Sequence, residues 1–244
     1  MNKKASGLLD LGRKRRAERW RRYACIGDFH GGAYECEFVS PYTKSAGNVD
    51  ANVMVLLQDW ASEDVLAGPF LPDRVEHGYD PARGTNRRLK QRLSTHLGLE
   101  LKDIYATNVF PFVKRGAQNA PVPMRDLVRV AREFALPQIE IVSPILAICL
   151  GRAAFAAVVR AMGQRPPATI DASIRTPARM GSTQVWCQAH TGSIGTNNRN
   201  KGGIDRVSQD WAAMAMSNSA MDPPGLGCGG HRARICAGGS SPGR

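Results

Sequence analysis

Four short apolar runs in the sequence each end on residues able to do chemistry. Gln58 and Asp59 follow the first, Asn108 closes the second, and Gly151 ends the third. His190 follows the fourth, with Thr191, Gly192, Ser193 and Ile194 behind it. A carboxylate can stabilise a developing cation or orient a water, and a neutral imidazole can donate to a developing anion. A side-chain amide both accepts and donates, so it can distinguish one hydrogen-bonding edge from another. A glycine that opens a helix leaves an N-terminus able to receive an anion. Each residue also has a plainer use: Asp59 and Asn108 as caps of the turn or helix that follows, and His190 as a satisfied structural histidine.

These positions work together only if the runs are neighbouring strands. The runs cover 53–57, 104–108, 145–150 and 184–188, and the last two read as buried or half-buried strands. Helix-like stretches fill the gaps: 86–97 with Leu89 and Leu93, 124–135 with Leu127, Val128 and Val130, and the Ala-rich 152–162. Strands alternating with helices predict a parallel sheet covered on both faces. The expected fold class is α/β, a three-layer α/β/α sandwich with a short, mostly parallel four-stranded central sheet. In such sheets ligands sit just beyond the C-terminal ends of the strands, where the polar residues lie.

At 244 residues, 43% hydrophobic and 22% charged, the chain has a globular composition, which excludes disorder throughout. No apolar run approaches the roughly 18 residues of a membrane helix, and the basic N-terminus lacks an apolar core behind it. The reading is a cytoplasmic protein with no membrane partner. The net charge of +12 is uneven: residues 1–23 hold nine Lys/Arg against Asp10 and Glu18. This predicts a basic N-terminal arm or helix, able to lie along a phosphate backbone or simply solvated. The main domain is expected over 24–216, and the Gly/Pro/Ser-rich 217–244 is expected to be a disordered tail. Cys25, Cys36, Cys149, Cys187, Cys228 and Cys236 show no C-x-x-C spacing, so reduced thiols are expected rather than a disulfide framework or metal site.

The segments carry a resemblance to the uracil-DNA glycosylase superfamily. Leu56-Leu-Gln-Asp-Trp60 resembles its first motif, in which an apolar strand runs into a Gln-Asp pair. Thr107-Asn-Val-Phe-Pro111 resembles the T-N-V strand end of the iron-sulfur branches, whose Asn matches the uracil-reading Asn. The strand from Ile145 followed by Leu-Gly-Arg-Ala-Ala154 resembles the ALG-x-x-A segment, and His190-Thr-Gly-Ser-Ile194 resembles the closing H-P-S-P-L loop. All four occur in the family's order over about 150 residues.

The resemblance implies a metal- and cofactor-independent, monomeric enzyme that hydrolyses the N-glycosidic bond of uracil, or a related deaminated base, in single- or double-stranded DNA. Breaking that bond leaves a sugar cation and a uracil anion. Asp59 would face the cation and orient water, and His190 would donate to the uracil O2. Asn108, with Gln58 beside Asp59, would bind the base, and Phe70 or Tyr79 would stack on it. Ile194 would fill the gap left by the extruded nucleotide. Ser193, Lys114, Arg115, Arg199 and Lys201 would hold DNA.

The chain also departs from the family. Trp60-Ala61 stands where Pro-Tyr excludes thymine's methyl, and Thr191, Gly192 and Ser193 replace the stiffer Pro-Ser-Pro. The cysteines lack the spacing of the cluster-bearing branches, so no iron-sulfur cluster is expected and the branch is divergent. Two alternatives stand beside catalysis. One is an inactive relative that binds DNA through the same cleft as an accessory protein. The other is an unrelated hydrolase or nucleotide-binding domain using Ser193 or the turn at Gly151, although no G-x-S-x-G, G-x-x-x-x-G-K-[ST] or G-x-G-x-x-G stands at a strand-helix junction.

Overall fold

A computed structural model of the chain describes residues 2–20 and 22–219. Its centre is a sheet of five strands, β1 (Val53–Asp59), β2 (Tyr105–Phe110), β3 (Leu146–Leu150), β4 (Ala178–Met180) and β5 (Thr183–Gln188). Their order is β2-β1-β3-β5-β4, with the first four parallel and β4 antiparallel at the edge. The α/β/α architecture is as expected from the sequence, with one strand more than the four anticipated. The extra strand is three half-exposed residues, Ala-Arg-Met, too short to show a periodicity. It is returned by the two-residue turn Gly181-Ser182, where Gly181 has φ +59°, a conformation glycine adopts without the strain of a Cβ.

The apolar runs are continuous because both faces of the sheet are covered. On β1, Met54 and Leu56 point into one core with Ala147, Cys149, Val185 and Cys187, packed under the helices of 124–142 and 152–161. Val55 and Leu57 point into the other with Ile148, Leu150 and Trp186, under Gly84–Leu97 and Arg206–Ser219. The 124–135 helix expected from the sequence runs on past Pro137. A π turn over Ala131–Ala135, in which the Leu136 N–H reaches back to Ala131 O, accommodates the proline's missing donor.

The N-terminal segment is part of the body. Lys3–Ala17 is a helix capped by Asn2, whose side chain accepts from the Lys4 N–H. Arg15, far from solvated, is fully buried: it pairs with Glu35 at 2.6 Å and donates to the Cys36 and Phe38 carbonyls. A side chain at Gly12 would run into Glu37 O, so glycine permits this close approach. Trp20 and Tyr23 pack on the core, and the Tyr23 hydroxyl donates to Asp126. The sequence division into arm and domain at residue 23 therefore does not separate two bodies, although Arg13, Lys14, Arg19 and Arg22 remain exposed. At the other end, 217–219 complete the last helix. The rest of the expected tail, with Cys228 and Cys236, lies outside the described residues. Among the described residues, no helix is long and apolar enough to cross a membrane.

Candidate active site

The parallel register brings the C-terminal ends of β1, β2, β3 and β5 to one edge, with β1 beside β3 where the strand order reverses. That switch point is where open α/β sheets bind ligands. A cleft of about 1100 Å³ opens there, lined by Gln58, Asp59, Tyr79, Asn108, Lys114, His190, Ser193 and Ile194 among others. Leu57 pairs with Asn108, so Asp59, two residues further along β1, falls on the same face of the sheet as Asn108.

Each polar side chain has a defined partner. Asp59 Oδ1 lies 3.0 Å from Lys114 Nζ, and its other oxygen accepts from Gln58 Nε2 at 2.9 Å. Ser40, whose hydroxyl caps the turn at Pro41–Lys44, also donates to Asn108 Oδ1 at 2.5 Å. Asn108 Nδ2 is buried without a partner, so the amide's donor is available to a ligand.

His190 is held as one tautomer. The Gly192 N–H donates to Nδ1 at 2.9 Å, which leaves the proton of the neutral ring on Nε2. A Cβ at Gly192 would stand 2.8 Å from that same Nδ1, and one at Gly195 would run into the His190 carbonyl, so the two glycines let the loop fold back over the ring. Burial lowers the His190 pKa, with Lys114, Arg83 and Arg88 adding to the shift and Asp59 opposing it. A histidine favoured neutral in the fold contributes stability that is complete above the unfolded value of about 6.5. That contribution is lost as the pH falls from there through the lowered folded value. Urea unfolding between pH 5 and 8 should show this decline, and His190→Gln should lose its share of it. An identical decline in the variant would place the titration elsewhere, for instance at His96, which burial also shifts downward.

Four residues expected at the site lie outside the cleft lining. Phe70 is 45% exposed and stacks on Tyr34 at 5.5 Å, with His30 alongside. Arg199 is committed to Asp210 through two nitrogens and also pairs with Asp171, fastening the Ser193–Arg199 helix to the last helix. Lys201 and Arg115 are exposed and do not line the cleft. Gly151 lies against His190, and Ser193 makes no hydrogen bond to His190 among the described residues.

Besides Trp60, which the first motif already included, the cleft holds residues that spacing did not mark. Tyr42 stacks on Tyr79 at 4.9 Å and 20°, and its hydroxyl donates to Asn86. Trp60 is fixed by its Nε1–H to Gly78 O at 2.8 Å, and Arg88 Nε donates to Thr191 O. Arg74, Arg83, Arg88 and Lys114 line the cleft against Asp59 and Asp80, so the lining is net cationic. The Ser-Pro before Tyr42 was readable as a turn start, but nothing in the spacing connects it to Asn108. The chain matches no protein-family model and no curated protein sequence.

Proposed function

We propose that the protein is a DNA glycosylase of the uracil-DNA glycosylase superfamily, acting in base-excision repair on uracil or a related deaminated base. The observation that carries this reading is the convergence of Asp59, Asn108 and His190, from three separate strand ends, on one cationic cleft. Each presents the group the chemistry needs: a carboxylate for the sugar cation, an unpaired amide N–H for the base O4, and an imidazole Nε2–H for the anion developing on O2. The stacked pair Tyr79 and Tyr42 supplies the aromatic platform, and Trp60 the wall facing the base's 5-position. Ile194, 68% exposed at the cleft mouth, has the exposure that a residue inserted into a base stack requires.

The test is incubation with end-labelled oligonucleotides carrying one uracil, hypoxanthine or thymine mismatch, followed by alkali to cleave abasic sites. Cleavage at one of these bases supports the reading. No cleavage with retained DNA binding favours the accessory-protein alternative, for which the buried Asp59–Lys114 pair is the supporting observation, since the ammonium offsets the field the sugar would feel.

Base selectivity should follow the amide. Asn108→Asp keeps the acceptor for Ser40 but turns the free donor into a second acceptor, which repels uracil O4 and suits the cytosine amino group. Uracil excision should fall by about 10- to 100-fold, the effect of one or two buried hydrogen bonds at 1–3 kcal/mol. Unaltered relative rates on uracil and cytosine would remove Asn108 as the reader.

A further inference from the structure

Arg74 is a buried cation that the fold does not use. It sits on the short Pro72–His77 helix with only 6% of its surface exposed, and it lines the cleft. Its Nη1 is buried without a hydrogen-bond partner, and it forms no ion pair with any described carboxylate. Burial disfavours its charge, the neighbouring Tyr34 relieves this in part, Arg83 adds repulsion, and Asp80 helps only from beyond ion-pair distance. The helix is held by other contacts. Lys44 Nζ donates to Val75 O at 2.8 Å, Ser45 Oγ donates to His77 O at 2.7 Å, and Gly78 passes so close to Pro41 O that a side chain there would collide. These contacts hold the helix without using the guanidinium, whose Nη1 is left unsatisfied.

A desolvated cation without a partner is costly unless a ligand completes it. The planar fork of arginine fits two oxygens of a phosphate, and with Arg83 and Arg88 also on the cleft wall the local field selects an anion. We infer that Arg74 is the core of a phosphate-binding subsite in the cleft, which takes the phosphodiester next to the extruded nucleotide. Naming the phosphate as part of DNA rests on the glycosylase reading; the anion subsite itself does not.

The full-length protein is titrated calorimetrically with thymidine 3′,5′-bisphosphate, with thymidine, and with a single-stranded oligonucleotide carrying one tetrahydrofuran abasic analogue. The bisphosphate should bind at least tenfold more tightly than thymidine. Arg74→Met should remove that advantage while unfolding, without ligand, at the wild-type temperature or above it, because an unpaired buried charge has been replaced by an apolar chain. Arg74→Lys, which keeps the charge without the fork, should lose about three- to tenfold. A structural arginine gives the opposite pattern, in which Arg74→Met is destabilised or fails to fold and Arg74→Lys binds the bisphosphate as the wild type does. That pattern overturns the subsite, as does an unchanged affinity in a folded Arg74→Met. An Arg74-dependent gain for the oligonucleotide over the bisphosphate identifies the phosphate as DNA's, and equal gains identify a free nucleotide. Loss of bisphosphate binding in Arg74→Met from a protein that excises no uracil sinks the glycosylase reading alone.

Discussion

Asp59→Asn should lower single-turnover excision of uracil by about a thousandfold while leaving affinity for abasic product DNA within a few-fold of wild type. A unit charge about 4 Å from the sugar cation, at an effective dielectric near 20, contributes about 4 kcal/mol, which corresponds to a rate factor of about 10³. Asparagine preserves the shape and can still accept from Gln58, so the change isolates the charge. It also deprives Lys114 of its ion partner, although the ammonium keeps the Gln118 carbonyl. The rate must therefore be read beside an unfolding curve. Turnover within fivefold of wild type in a folded variant removes Asp59 from the mechanism.

The second large effect is on stability. Lys114→Met should destabilise the protein by about 3–5 kcal/mol, because it strands a largely buried carboxylate without its ion partner. Side-chain exposures of 5% for Lys114 and 7% for Asp59 set this pair apart from the solvent-screened surface pairs, such as Lys102–Glu100. The double variant Asp59→Asn with Lys114→Met should recover much of the loss, since the stranded charge is gone, and the shortfall from additivity measures the coupling. Urea unfolding of the four proteins checks this. A loss below about 1 kcal/mol in Lys114→Met would show that water reaches the pair.

The sheet and its helices were legible because burial on both faces forces long apolar runs, and such runs survive in the sequence whatever surrounds them. Runs at 53–57, 104–108, 145–150 and 184–188 each correspond to a strand, with ends shifted by no more than two residues. The polar residues that end those runs were legible for the same reason, since the edge of a parallel sheet is where burial stops. Asp59, Asn108 and His190 accordingly meet in one cleft, as their places in the runs implied. The strand Ala178–Met180 was not legible, because a half-exposed edge needs no apolar pattern.

Charge was the poorest guide, because a basic residue reads the same in sequence whether it is solvated, paired or waiting for a ligand. Arg15 and Arg199 look like surface cations and are spent on Glu35, Asp171 and Asp210, while Arg74, unmarked by any spacing, is left buried in the cleft without an ion pair among the described residues. Phe70 and Tyr79 stand nine residues apart on either side of the Pro72–His77 helix, and only the fold sets Tyr79 against Tyr42 in the cleft and Phe70 outside it. What the sequence determined by itself was the layered sheet and the polar residues at its strand ends, since both follow from local burial. Which charges are paired and which aromatic lines the cleft was decided by tertiary structure, since each depends on a partner tens of residues away.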